Sequence, residues 1–429
     1  MSRILRISLV LLIISQALAG QKLVNSPYGR FGPGIIVPQG LLKTRGMGGA
    51  GIALQDPVNL NYLNPASFSS LDTNSFVFDF GLDYQILRLN DGQESYRSED
   101  MSFHHIVIGF PVAKKAGFVF GLVPYSSGYY NIAATIGPDD PAYRPIAGEI
   151  EHLHKGDGGY NKFFWGFGIS PVKNLSLGLN MEFMFGTITR INSYVFTDGS
   201  NYYNNSTTES ILIRGFNFKY GAQYKFNLGS DYFASTGFTF SPKKEYRSDY
   251  EDLILKYSSY TGTYYSVDTL SYNFTNEIPI VMPRTITAGI AFGKTDKFAV
   301  AVDYTMTNWS ESKFAGYDQY MVNSSEFNVG LEFIPQKYAN TNILNRVEYR
   351  LGGHTSGTQL MLGNEQIREF GITFGTGIPM NRTKTRMNFL FEYGKRKGSF
   401  ENGLHNETYY NFAISFNFYD NWFKKKQYN

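Results

Sequence analysis

Over long stretches of this chain, apolar and polar residues alternate with a period of two. In EFNVGLEF, Phe327, Val329, Leu331 and Phe333 share one face of an extended segment, and Glu326, Asn328, Gly330 and Glu332 share the other. SLGLNMEF splits in the same way, with Leu177, Leu179, Met181 and Phe183 against Gly178, Asn180 and Glu182. YNFAISFNF repeats it, with Phe412, Ile414, Phe416 and Phe418 against Asn411, Ser415 and Asn417. MNFLFEY is less clean, because Met387, Phe389, Phe391 and Tyr393 face Leu390 as well as Asn388 and Glu392. The second face is too polar for the core of a sandwich. Apolar residues outward, with polar residues and glycine inward, are the pattern of a β-barrel in lipid.

About fourteen such segments follow one another, an even number as a single-chain bacterial barrel requires. They begin near Ser75, Met101, Ala116, Asn161, Leu175, Glu209, Asp231, Pro283, Lys297, Ser324, Arg346, Gln366, Thr385 and Thr408. The connections AKKAG, PVKN, NLGSD, GKTD and MNRTK are tight. Asn131 to Gly159, Tyr194 to Thr207, Asp249 to Val281 and Glu311 to Asn323 read as long, polar, tyrosine-rich loops. Short periplasmic turns and long surface loops give this asymmetry. The stretch Pro335 to Asn345 is longer than that rule allows on the short-turn side.

Composition narrows the class. The chain has 32 tyrosines and 36 phenylalanines, only 17% charged residues, a net charge of +3 and no cysteine. The missing cysteine excludes disulfides, thiolate metal sites, cysteine catalysis and a lipid anchor on cysteine. After the N-terminal leader no apolar run reaches the ~18 residues that a membrane helix needs. In MSRILRISLVLLIISQALAG, Arg3 and Arg6 precede an apolar run from Ile7 to Ile14 and then Ala17-Leu18-Ala19, the pattern of a secretory signal peptide. The expected domains are a signal peptide at 1–20, an N-terminal segment at 21–74, a transmembrane barrel at 75–420 and a basic periplasmic tail at 421–429. The fold class is all-β, an outer-membrane antiparallel barrel of about fourteen strands with the N-terminal segment as a plug in its lumen.

Residues 21–74 are rich in glycine and asparagine and lack a clean period. Within them, TRGMGGAGIALQD places Gly46, Gly48 and Gly51 at the spacing of a dinucleotide-binding loop, with Asp72 about where the ribose-binding acid would stand. That reading fails on the required helix, since Pro57 and Pro65 interrupt the following turns. RGMGGAGIALQDPVNLNYLNPASFSSL, with Asn64-Pro65-Ala66, and MPRTITAGIAFGKTDKFAVAVDYTMTNW, ending at Trp309, resemble the FadL family of long-chain fatty-acid and hydrocarbon transporters of Gram-negative outer membranes. The resemblance implies a fourteen-stranded barrel with an N-terminal hatch. Gly46, Gly48, Gly49, Gly51, Asn64, Pro65 and Ala66 are then plug residues, the glycines permitting tight packing and positive φ. NSPYGRFGPG and DNWFKKKQYN look like the Bacteroidota branch, in which related barrels include partner subunits of surface-export machinery.

Pro124, inside GFVFGLVPYSSGYY, removes a ladder donor and predicts a bulge or kink. By the family resemblance, Pro124, Ser126, Ser127 and Gly128 border a lateral opening; the alternative is a strand already leaving the membrane. Inward positions carry Asp79, Asp83, Glu182, Lys219, Asp303, Glu332, Arg350, Glu369 and Glu392, expected to pair with the plug cations Arg30, Lys43 and Arg45 rather than to form a catalytic carboxylate pair. His152 and His154, with Glu151 and Asp157 nearby, hold a metal only if a third ligand joins them. His104 and His105 suit a Ser-His-acid site only beside a serine that the sequence does not single out. Lys424, Lys425 and Lys426 form a solvated tail or dock an acidic partner.

These features predict a non-enzymatic barrel with no cofactor and no metal. Its partners are outer-membrane lipid and a small hydrophobic ligand, with no nucleic acid. The leading function is uptake of small hydrophobic molecules by loop-side capture and lateral or plug-gated passage. The rival is a FadL-like barrel that does not transport and acts as a subunit or docking platform in an outer-membrane protein export or assembly complex.

Overall fold

The computed structural model describes residues 26–196, 202–260, 263–276, 278–339, 342–380 and 384–421. The leader at 1–20 and the lysines at 424–426 lie outside the described residues. Fourteen strands form the wall: β1 (Ser75–Asn90), β2 (Ser95–Ala113), β3 (Ala116–Ser127), β4 (Ile150–Val172), β5 (Leu175–Phe196), β6 (Asn204–Leu228), β7 (Tyr232–Ser241), β8 (Thr285–Lys294), β9 (Phe298–Thr307), β10 (Ser324–Phe333), β11 (Glu348–Leu362), β12 (Glu365–Pro379), β13 (Arg386–Lys397) and β14 (Asn406–Asn421). Each pairs antiparallel with the next. β14 returns to β1 in a register that runs from Ser75↔Asn421 to Asn90↔Asn406, and the ring closes. Closure leaves no bare sheet edge along the wall in the hydrocarbon, apart from the seam described below.

The period-two pattern is realised side by side. On β10, Phe327, Val329, Leu331 and Phe333 are 44, 41, 39 and 41% exposed on the outer face, while Asn328 and Glu332 are buried on the inner one. Phe412, Phe416 and Phe418 of β14 likewise point outward, and Asn411, Ser415 and Asn417 inward. At the Gly363-Asn364 turn both central residues have positive φ, the geometry that suits a two-residue hairpin between twisted strands.

Two stretches that read as loops, Asn131 to Gly159 and Asp249 to Val281, contain long β-structure that begins just before each of them. Tyr130–Ile136 pairs with the first residues of β4, and Lys244–Tyr260 forms a long hairpin with Thr263–Asn276. Tyr246 and Ser248 at the base of Lys244–Tyr260 are buried, but residues 249–258 are half-buried on both faces, so serine, tyrosine and charge take the place of alternation there and β propensity carries the signal. β6 has 25 residues, about 80 Å of chain, against the ~9–11 that cross a bilayer. The loop-side halves of β4, β5 and β6 therefore project beyond the membrane. With Tyr130–Ile136 at one end and the hairpin at the other, they make a projecting six-stranded sheet.

Residues 26–74 lie inside the ring. They enter at the loop end, where Tyr28 packs with Tyr160, Ile188, Met321 and Leu360. They descend through a single helical turn, Leu42–Arg45, and a capped turn, Pro65–Ser70, and join β1 at the short-turn end. Around Leu60, Tyr62 and Phe68 a second apolar cluster fills the lower lumen against Val77, Val107, Val119 and Phe164.

Candidate functional site: the filled lumen and the seam beside Pro124

The glycines of the N-terminal segment meet glycines of the wall. Gly48 has φ +66, and a Cβ there would lie 2.5 Å from Gly353 N; its own N–H donates to Thr373 Oγ1 at 3.0 Å. A side chain at Gly352 would overlap Gly48, and one at Gly330 would overlap Met47. Gly46 lies against Gly375, Gly49 has φ +90 beside Asn328, and Gly51 fits under Thr44. Lower down, Gly168, Gly178 and Gly221 clear room for Asn64 and Pro65. The Asn64 side chain accepts from Ala66 N at 3.1 Å and donates to Ile52 O and, across to β6, to Ala222 O. Ala66 is fully buried. The spacing that resembles a nucleotide loop is thus explained by backbone packing against backbone. The wall glycines were not singled out from the sequence, although glycine at inward positions of an alternating strand is their signal.

The inward charges fall into two sets. Arg45 bonds Asp83 at 2.7 Å and Glu392 at 3.1 Å. Lys43 bonds Asp56 at 2.5 Å and Glu332 at 3.2 Å. Asp303 accepts the Gly51 and Ile52 N–H groups at 2.6 and 2.9 Å. The rest are satisfied within the wall, which corrects the expectation that all of them pair with the plug. Asp79 binds His105 at 2.8 Å and Asn417 at 3.1 Å. Glu182 binds Lys162 and Lys219, Arg350 binds Glu332 and Glu348, and Glu369 binds Arg396 and Tyr409. Arg30 lies over the Phe31 ring, and its carbonyl accepts from Arg190. The reason is register: adjacent strands set Glu332 opposite Arg350 and Glu369 opposite Arg396, and place Glu182 diagonal to Lys162 and Lys219 and Asp79 diagonal to His105, and a buried charge takes the nearest partner.

Pro124 sits at an irregularity of β3. Pairing with β4 shifts between Pro124↔Asn161 and Ser126↔Tyr160, so Tyr125 is the extra residue. Pairing between β2 and β3 stops at Ile106↔Leu122, and β2 has its own bulge where His104 falls between Phe103 and His105. The seam between them is spanned by the N-terminal segment. Ile35 and Ile36 pair with Ser127 and Ser126, Val37 N donates to Tyr125 O at 2.9 Å, and the Gln39 amide reaches Pro124 O. His104 hydrogen-bonds the Pro38 carbonyl, and its Nδ1 is 2.6 Å from that of His105. Ser126 and Ser127 are buried, and Gly128 N donates to Gly158 O.

Above Arg45 lies a cavity of about 300 Å³, walled by Ile35, Ile36, Tyr125 and Trp309 but also by Lys162, Glu182, Lys219, Asp303, Glu326, Glu369, Glu392 and Arg396. On the projecting sheet, His152 stacks on Tyr194 and sits 2.6 Å from Asn192 Oδ1. Burial, reinforced by His152 and Arg30, pushes the neighbouring His154 imidazole down to about 4. Among the described residues no group of three such side chains is placed to hold a metal.

A closed fourteen-stranded antiparallel wall with an occupied lumen defines the class: a barrel of FadL-type fold. Solved structures share this fold. They include the CymD monoaromatic hydrocarbon channel (TM-score 0.59, 14% identity, covering 92% of this chain and 98% of that one). The Ralstonia pickettii toluene transporter TbuX is similar (0.56, 14%, 92% and 99%), as is a Pseudomonas aeruginosa FadL homologue (0.56, 12%, 90% and 99%). No curated protein matches the chain in sequence. Within this class the chain belongs to the BamG family, whose model matches residues 1–429.

Proposed function

We propose that this protein is a FadL-type barrel that does not transport and instead serves as a subunit or docking platform of an outer-membrane protein export or assembly complex. One observation carries the reading. Thr263–Asn276 ends the projecting sheet as a 14-residue edge strand, paired on one side only among the described residues. It holds Leu270, Tyr272 and Phe274 51, 57 and 53% exposed. A long apolar edge in water is a template for another chain, and folded proteins keep such edges covered.

The lumen supports the same reading. A cavity of about 300 Å³ exceeds the ~150 Å³ that accommodates benzene, so volume does not exclude a small aromatic molecule. Its chemistry opposes one, because apolar ligands select pockets lined mainly by apolar side chains with few polar groups. The family name, BamG, points the same way.

A second reading, uptake of small hydrophobic molecules, is favoured by the seam: bulges at His104 and Tyr125 flank it, and two residue pairs, Ile35↔Ser127 and Ile36↔Ser126, close it. The names of the similar hydrocarbon channel and toluene transporter accord with it.

Gentle detergent extraction followed by sizing and mass spectrometry separates the two. The platform reading expects a stoichiometric protein partner that is lost from Tyr272→Asp/Phe274→Asp while the barrel stays folded. A lone barrel that takes up toluene, with uptake abolished in folded Ser127→Trp, overturns it in favour of transport.

A further inference from the structure

The connection between β10 and β11 is long for the short-turn end, and it is built rather than slack. Ile334 N donates to Lys297 O at 2.8 Å, and Gln336 N to Asn345 O at 2.6 Å. Lys337 and Tyr338 both bind Asp296 of the neighbouring turn, at 2.5 and 2.9 Å. Asn342 caps the turn Ile343–Arg346 by accepting from Leu344 N. This scaffold leaves Tyr338, Ile343 and Leu344 74, 48 and 59% exposed. The Leu344 carbonyl accepts from the hydroxyl of Tyr349, a residue on the lipid-facing side of β11, so the loop lies on the outer rim and not beneath the lumen.

The same arc of the rim carries lysines over aromatic rings: Lys225 over Phe233 at 5.0 Å, Lys294 over Tyr232 at 5.3 Å, Lys297 over Phe333 at 5.3 Å and Lys337 over Tyr338 at 5.9 Å. Arg346 adds a fifth cation, against the two aspartates Asp231 and Asp296. Apolar tips beside cations seated on aromatic faces suit one environment, the boundary between acyl chains and headgroups.

We propose that this rim, from the β6–β7 turn to residues 334–339 and 342–347, binds the anionic phospholipid headgroups of the leaflet at the short-turn end, with Tyr338, Ile343 and Leu344 dipping into the interface. Two arguments select lipid as the occupant. The surface continues the lipid-facing band through Phe333 and Tyr349, and its excess positive charge complements anionic headgroups.

The chain lacks cysteine, so Leu344→Cys, with Leu331→Cys in the lipid-facing wall as reference, carries a single bimane label. In vesicles of phosphatidylcholine with phosphatidylglycerol, lipids brominated near the ester should quench the label at 344, and aqueous iodide should not. Iodide quenching alone overturns the proposal, as does protection that arises only when periplasmic extract is added, which would assign the surface to a protein. Native mass spectrometry with equal amounts of the two lipids should show preferential retention of phosphatidylglycerol. Folded Lys297→Glu/Lys337→Glu should lower that preference by about fivefold or more for each lysine. An unchanged preference overturns the headgroup assignment.

Discussion

Arg45 is almost fully buried between Asp83 and Glu392, each a wall residue on a different strand. Replacing it by methionine keeps much of the stem's packing and leaves two inward carboxylates without their cation. Breaking a buried pair from one side costs about 3–5 kcal/mol, mostly the penalty of the stranded charge. Arg45→Met should therefore lower the urea midpoint markedly, and adding Asp83→Asn and Glu392→Gln should recover much of the loss. A triple variant as weak as the single one would show that Arg45 acts through packing instead. The candidate residues were legible here because charge on the inward face of an alternating strand must be paired. Their partners were not legible, because Asp79 and Glu182 find theirs on neighbouring strands through registers that the sequence does not state.

The strand β14 tests the face assignment at the level of an element. Ile414 lies opposite Leu82 of β1 and Phe389 of β13, in the middle of the strand's lipid-facing row. A lysine there should cost about 2–4 kcal/mol near the bilayer midplane. Ile414→Lys should lose the heat-modifiable gel shift of the folded barrel or show it at lower temperature, and an unchanged shift counts against the placement. The long strands of the projecting sheet mark the limit of such reasoning. Where lipid does not dictate one face, the pattern dissolves, and the stretch from Asp249 looks like loop although most of Lys244–Tyr260, one of the longer strands, lies in it.

At the scale of the whole molecule, the N-terminal segment packs closely against bare wall positions. Gly352 is such a position, facing Gly48. Gly352→Ala should push the segment away from β11 and raise single-channel conductance in planar bilayers, while the fold, held by the closed ladder, survives. Parent-level conductance in the folded variant would mean that the segment yields without opening a path. Apart from the lipid-facing band, the projecting sheet exposes Leu270, Tyr272 and Phe274, and the short-turn rim exposes Tyr338, Ile343 and Leu344.

The sequence alone determined the wall. A bilayer acts on each strand locally, every second residue meeting hydrocarbon, so alternation, strand number, the alternation of turn lengths and the outward phenylalanines could be read without knowing any contact. It also flagged Pro124, since a missing donor is a local fact. Tertiary structure alone decided that Tyr125 bulges, that Ile35–Gln39 lies against it, that wall glycines are clearances for Met47, Gly48 and Pro65, and which carboxylates serve the plug. Those outcomes depend on where a segment without period threads through a ring of fourteen strands, and backbone clearance and charge pairing are set by that path through space rather than by distance along the chain.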